Sequence, residues 1–267
     1  MKLAVLGTGK IVQEFLPMIQ QVTDVELVAL LSTPRSLDKA KEMQAQYQVQ
    51  EVYTDYETLL SNATIDTVYV ALPNHLHYQY TKAALLQGKN VICEKPFTLN
   101  AQQLQELIQI ATEKRLILLE AITNQYLNNF LQIKKDLAQL GKIKIVECNY
   151  SQYSSRYDAF KEGKILPAFD PQKGGGALMD INIYNIHFVV GLFGKPEKVQ
   201  YLANIERDID TSGILVLDYC NFKAAAIGAK DCSAEIRSTI QGDKGAITIF
   251  GATNTLPEIG VTLNGQK

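Results

Sequence analysis

The sequence carries almost no excess charge: 26 Lys and Arg stand against 28 Asp and Glu, a formal net charge of -2. That balance gives no electrostatic footprint for nucleic acid or for an anionic membrane, so neither is expected as a partner. No apolar run approaches the roughly 20 residues that span a bilayer. Met1 to Gly7 mimics the start of a signal peptide but is too short for one, and turn glycines follow at once. The cysteines number four and show no CxxC spacing. Cys93, Cys148, Cys220 and Cys232 each sit in an apolar or strand-like stretch, which reads as reduced buried thiols in a cytoplasmic chain. His75 and His77 have no Cys or Asp close by in sequence, so no metal site is expected. There is no Walker loop, no Gly-x-Ser-x-Gly elbow, no internal repeat and no Pro-rich linker.

What the sequence does have is rhythm. With 46% hydrophobic and 20% charged residues in 267, it has the composition of a globular protein of about two domains. From Lys2 to about Glu120, short apolar runs alternate with longer amphipathic ones. Leu3–Leu6, Val25–Leu31, Thr67–Leu72, Asn90–Cys93 and Leu116–Leu119 read as buried strands. The segments after them have helical spacing, including Leu37–Tyr47, Tyr78–Gln87 and Gln102–Lys114. Strands separated by such helices imply βαβ crossovers and a doubly wound parallel sheet, a Rossmann domain over residues 1–121. After a helix expected from Asn124 to Leu140 the pattern changes. Ile143–Tyr153, Val199–Glu206, Ile214–Phe222, Ala224–Ala229, Ala234–Gln241 and Ala246–Ile249 read as strands with turn-like separators. Residues 122–267 are therefore expected to form an α/β domain with an open, mainly antiparallel sheet, separated from the first by a cleft. Gly213–Leu217 and Ala224–Ile227 leave apolar positions on both sheet faces, which predicts a homodimer or homotetramer.

Four motifs carry candidate chemistry. Gly7-Thr8-Gly9-Lys10-Ile11-Val12 lies between a buried strand and a helix, where glycines let a pyrophosphate approach the helix N-terminus. Val12 replaces the third glycine of the full fingerprint. After the second strand come Ser32, Thr33, Pro34 and Arg35, with no acid before Asp38. Hydroxyls and a guanidinium suit a ribose 2′-phosphate and so NADP, with NAD possible; otherwise Arg35 is a solvated arginine at a helix start. Glu94-Lys95-Pro96 ends a strand, where Lys95 either donates to a substrate oxygen or pairs with Glu94. Finally, Gly174-Gly175-Gly176 opens an apolar helix on which Asp180, Tyr184 and His187 fall at i, i+4 and i+7. A polar stripe on so apolar a helix faces either solvent or a cleft.

In this order the motifs resemble the Gfo/Idh/MocA oxidoreductase family. The likeness runs through Gly7-Thr8-Gly9, Val68 to His77, Gly88 to Pro96 and Gly174 to Asp180. It implies hydride transfer between NADP(H) and a carbinol or carbonyl carbon of a small sugar, polyol or diol. It adds Leu72, Pro73, Asn74, His77 and Glu94 to the cofactor contacts, places Lys95 beside nicotinamide and substrate, and makes Asp180 line the catalytic cleft. Tyr184 stands where many members carry His, as in the branch resembling dihydrodiol dehydrogenase and glucose-fructose oxidoreductase. It is the candidate acid/base, with Asp180 holding Lys95 or the substrate hydroxyl. Gln125, Arg156, Tyr157 and His187 are candidate substrate contacts, although Gln125 and Asn128 depart from the Arg and Pro common in the family. Relative to that pattern the chain stops early at Lys267, so a C-terminal helix and strand are expected to be missing. The alternatives are a non-catalytic dinucleotide-dependent regulator, against which Lys95, Asp180 and Tyr184 argue, and a reductase of a non-sugar substrate such as an imine or biliverdin.

Overall fold

A computed structural model describes residues 1–264. The chain divides into two compact units, Met1–Ala121 and the segment from Ile122 onward. The first unit runs β1 (Lys2–Leu6), α1 (Lys10–Ile19), β2 (Glu26–Leu31), α2 (Leu37–Tyr47), β3 (Glu51–Tyr53), α3 (Tyr56–Ser61), β4 (Thr67–Val70), α4 (His77–Leu86), β5 (Asn90–Cys93), α5 (Ala101–Lys114) and β6 (Leu118–Glu120). Its sheet has the order β3-β2-β1-β4-β5-β6, and every neighbouring pair is parallel. Alternate residues of β1 feed opposite faces. Leu3 and Val5 pack with Val12 and Leu16 of α1, whereas Ala4 and Leu6 join the cluster of Leu59, Leu85 and Leu107. Residues 3 to 6 are therefore apolar without a break. The periodicity missed β3 and α3. Three residues are too few to show a period, and the single turn and a half of α3 is held by a cap, with Asp55 Oδ1 accepting from Thr58 N at 2.8 Å.

The second unit contains α6 (Asn128–Asp136), β7 (Ile143–Ser151), α7 (Tyr157–Lys161), α8 (Ile183–Phe193), β8 (Lys198–Glu206), β9 (Ile209–Asp218), β10 (Lys223–Ala229), β11 (Arg237–Gly242), β12 (Gly245–Phe250) and β13 (Ile259–Leu263). The sheet order is β13-β12-β11-β7-β10-β9-β8, antiparallel except for the parallel pair β7–β10. The helix expected over residues 124–140 is broken into α6 and two 3₁₀ turns, Asn124–Tyr126 and Leu137–Leu140. β9 begins five residues before the expected Ile214. It pairs with β8 through a two-residue turn in which Arg207 and Asp208 both have positive φ. That is the backbone of a type I′ hairpin, built here without the Asn-Gly that would announce it.

One face of this sheet carries the core. Val146, Cys148, Leu217, Ala224, Ala226, Ile240 and Ile247 pack against Phe130 and Ile133 of α6 and Phe188 and Val189 of α8. The stretch Pro171–Phe193 is long and apolar enough to cross a bilayer, a length the sequence had not suggested. Phe188 and Val189 are nevertheless fully buried in the core, so its apolarity serves packing. Cys93 and Cys148 are buried, and burial pushes each thiol up to about 12. Cys220 and Cys232 are exposed instead, because they sit in loops at strand ends.

Candidate active site

In the first unit the loops that follow β1, β2, β4 and β5 emerge at the carboxyl ends of parallel strands, and β1 and β4 flank the point where strand order reverses. Gly7 has φ +110, and a Cβ there would stand 2.7 Å from the Ala71 carbonyl oxygen, so only glycine fits this crossing. Around Gly9 a Cβ would meet nothing within 4 Å. Gly9 is the N-cap of α1 and supplies no side-chain cap, leaving the first-turn amides to an outside acceptor. At the end of β2, Ser32 is 6% exposed and its Oγ is a buried hydroxyl without a partner. Arg35 is exposed on the 3₁₀ turn Pro34–Ser36. These features fit a nicotinamide dinucleotide: amides for the pyrophosphate, an orphaned hydroxyl and a guanidinium where the adenine ribose and its substituent belong.

Several residues assigned to the cofactor make contacts within the protein. Thr33 Oγ1 lies 2.9 Å from Ser36 Oγ, so its hydroxyl builds the turn that presents Arg35. The exposed Lys10 ammonium pairs with Glu14 at 3.5 Å, one helical turn on. His77 is fully buried. Its Nδ1 lies 2.8 Å from the Pro96 carbonyl oxygen and its Nε2 2.7 Å from that of Leu72. Burial pushes its pKa down against those carbonyl contacts. His77 is thus a tie between the loops after β4 and β5, with no ring atom left for a dinucleotide. Glu94 also turns inward: its carboxylate accepts from Tyr69 OH at 2.5 Å and from Lys95 N at 3.2 Å. Burial, reinforced by Glu94, keeps the Tyr69 phenol protonated. Lys95 is half-buried and joined to Pro96 by a cis peptide bond.

In the second unit Asp180 and Tyr184 are half-buried, but the helix that carries them is not uniformly α. Leu178–Asn182 is a π turn that leads into α8. The wider turn breaks the expected i, i+4, i+7 stripe at Asp180 and leaves only Tyr184 and His187 in α-helical register. Two glycines make the entry possible. A Cβ on Gly175 would lie 2.7 Å from the Pro167 carbonyl oxygen, and Gly176 has φ +105 with Asp210 in the space a Cβ would need. Asp210 Oδ2 accepts from Leu178 N at 2.6 Å and from Tyr201 OH at 2.7 Å, which caps the helix from a neighbouring strand. Asn182 and Asn185, both fully buried, then fasten the helix to β10. Asn182 Nδ2 donates to Ala226 O at 2.9 Å, Asn185 Nδ2 to Ile227 O at 3.0 Å and Asn182 Oδ1 at 2.9 Å, and Thr253 Oγ1 donates to Asn185 Oδ1 at 2.6 Å.

Asp180, expected to hold Lys95 or the substrate hydroxyl, has a buried partner within its own unit that the sequence reading did not name. Its Oδ2 accepts from Lys230 Nζ at 2.7 Å. Gln125 is tied to the helix that carries Tyr184. Its Nε2 donates to the His187 carbonyl oxygen at 3.2 Å and lies 3.4 Å from His187 Nδ1, while the neighbouring Asn124 donates to Tyr184 O at 2.9 Å. These two side chains clamp α8 by its own carbonyls. Tyr157 is 7% exposed and stacks in a cluster with Phe160 and Phe169. Its OH donates to Glu206 at 2.7 Å, a bond that pushes the phenol up to about 12. Arg156 remains exposed. Lys230, Asp210, Asn182 and Asn185 escaped the sequence reading. The only trace of Lys230 was a cation that continues the apolar run Ala224–Ala229.

Residues 1–122 match the oxidoreductase family with an NAD-binding Rossmann fold, and residues 130–248 match the GFO/IDH/MocA C-terminal domain. The scyllo-inositol 2-dehydrogenase (NADP(+)) IolU of Bacillus subtilis (strain 168) is 36% identical over 251 residues, covering 93% of this chain and 75% of that protein. The trans-1,2-dihydrobenzene-1,2-diol dehydrogenase of Homo sapiens is 26% identical over 255 residues, covering 92% and 73%. In fold, the chain is similar to a 3-ketoreductase from Actinomadura kijaniata crystallised with TDP-benzene and NADP, with a TM-score of 0.86, 23% identity, and 100% and 82% of the two chains covered. The parallel six-stranded sheet with its glycine crossing, followed by the mixed seven-stranded sheet, is thus the two-part architecture of relatives that bind a nicotinamide dinucleotide, and the chain belongs to the Gfo/Idh/MocA family of NAD(P)-dependent oxidoreductases.

Proposed function

We propose that the chain oxidises a secondary hydroxyl of a cyclic polyol, and reduces the corresponding ketone, with NADP(H). The observation that carries this is the joint presence of the Lys95 loop and the Asp180–Tyr184 helix entry in a chain 36% identical to an NADP-dependent inositol dehydrogenase. When bound, the nicotinamide supplies the hydride acceptor or donor. The chain's own residues manage the oxygen. Lys95 donates to the substrate oxygen and stabilises the negative charge that develops there. Tyr184 takes the hydroxyl proton in oxidation and returns it in reduction, and Asp180 orients the hydroxyl. Arg156, which is exposed, and His187 are assigned to substrate recognition. The test is NADP-linked turnover on scyllo-inositol, other inositols, sugars and vicinal diols. Turnover is expected on the cyclic polyols, and a panel with none would overturn the substrate class.

Cofactor choice follows from the end of β2, where Arg35 stands and no acid occupies the position that would bind a ribose 2′-hydroxyl. NADPH is expected to bind more tightly than NADH. Arg35→Ala is expected to remove most of the difference, roughly one to two decades of affinity for a charge-assisted contact of about 1.5–3 kcal/mol. Fluorescence titration of both reduced dinucleotides measures this, and equal affinities in the unmodified protein would refute it.

We assign the assembly to the sheet face opposite the core of the second unit. Leu202, Ile214 and Ile227 are directly paired across β8, β9 and β10, and Leu202 and Ile214 are 55% and 42% exposed. An apolar row of this kind is covered when a second copy packs on it. Light scattering is expected to give at least twice the 29.7 kDa chain mass, and Ile214→Asp to shift it toward monomer. A monomer at micromolar concentration before mutation would sink the assignment. The four free thiols support placing the enzyme in the cytoplasm.

A further inference from the structure

Lys230 follows the last residue of β10 and is 3% exposed. Its Nζ donates to Asp180 Oδ2 at 2.7 Å and to the Ala168 carbonyl oxygen at 2.6 Å, and it lies 4.3 Å from the centroid of the Phe169 ring. A lysine is almost never buried unless its charge is paired, and here three separate segments grip it: the β10 end, the 167–169 turn and the π turn. The pair is lopsided. The ammonium is sealed in, whereas the Asp180 side chain keeps 37% of its surface exposed. Exposure of the carboxylate lowers the desolvation cost of the pair, but a pair serving the core alone does not need its acid at the surface. A rigid cation beneath a reachable acid is instead the geometry for orienting that acid toward something outside. Burial pushes the Lys230 pKa down, Asp180 opposes this, Arg156 adds to the lowering and Asp210 counters it. Asp180, Asp210 and Arg156 are thus among the charged groups that act on the ammonium.

Resting on the polyol-dehydrogenase reading, we propose that Lys230 is a positioning residue for the reaction: it holds the Asp180 carboxylate ionised and in one orientation, and through Asp180 sets the substrate hydroxyl for proton transfer. Lys230 touches neither substrate nor cofactor in this role. Removing it takes away one of the contacts that orient Asp180 and the adjacent charge that favours the carboxylate over the acid.

Three measurements test this. With selective ¹⁵N labelling, the unmodified protein is expected to show a slowly exchanging Lys230 ammonium resonance, and Asp180→Asn to abolish it. This readout needs no substrate, so it stands even if the substrate class is wrong, and absence of the resonance in the unmodified protein would overturn the proposal. In steady-state assays Lys230→Met is expected to lower kcat about 10- to 100-fold, with NADPH affinity unchanged. The acid limb of its pH profile is expected to move upward by about one pH unit or more. In an Asp180→Asn background, Lys230→Met is expected to add little further loss, since the two act as one unit. A merely structural lysine would lower the melting temperature without moving the acid limb and would add its full effect to that of Asp180→Asn; either result overturns the proposal. If Lys230→Met folds poorly, Lys230→Gln, which keeps a donor for the Ala168 carbonyl, takes its place in the same cycle.

Discussion

Tyr184→Phe is expected to lower turnover on the true substrate by roughly two to four decades, the usual scale for a positioned acid/base. The substitution removes one oxygen from a side chain whose backbone is fixed independently. Asn124 holds the Tyr184 carbonyl, Gln125 holds that of His187 one turn later, and Asn185 anchors the helix to β10. The helix should therefore stay in place, and dinucleotide affinity should barely change, because the phenol is assigned to substrate. Lys95→Met is expected to be at least as damaging, since it removes the donor we assign to the developing alkoxide. The double variant should be far from additive if the two groups serve one step. Steady-state kinetics, with NADPH titration alongside, decide this. Near-normal turnover in Tyr184→Phe would move the proton transfer to another group and leave Tyr184 as a pocket wall.

Asn185→Ala is expected to destabilise the second unit by roughly 3 kcal/mol or more. The estimate counts what would be orphaned. Asn182 Oδ1 and the Ile227 carbonyl would each lose a donor, and the Thr253 hydroxyl would lose its acceptor. Asn185 is fully buried, so water cannot replace these bonds, and each unsatisfied buried group costs about 1–3 kcal/mol. Denaturant unfolding followed by a probe in the second unit would measure it. The same variant should lose turnover through misplacement of Tyr184, which is one residue away. A change below 1 kcal/mol would mean that the buried amide ladder is not what holds α8 on the sheet.

The parallel sheet of the first unit was legible because its strands are buried on both faces and its helices on one, so burial imposes unbroken apolar runs in one case and a period near 3.6 in the other. Leu3–Leu6 and Ala101–Lys114 are examples. Gly7 was legible because a positive φ pressed against a backbone carbonyl admits no other residue. The strands of the second unit were legible where one face packs on helices. The I′ turn at Arg207 and Asp208 was not, since these residue types also occupy ordinary loops.

Within the candidate site, the sequence by itself determined which residue types stand at strand ends and at the helix entry: Gly7, Gly9, Arg35, Lys95, Asp180 and Tyr184. Only the tertiary structure decided which partners the polar side chains meet within the protein. Hydrogen-bond partners such as Asp180 with Lys230, His77 with Leu72 and Pro96, and Gln125 with His187 lie 50, 5 and 19, and 62 residues apart in the chain. A local motif records a position along one element. Whether a polar side chain at that position faces a ligand or a buried carbonyl depends on which distant segment folds against it, and a buried donor or acceptor must take the partner it meets there.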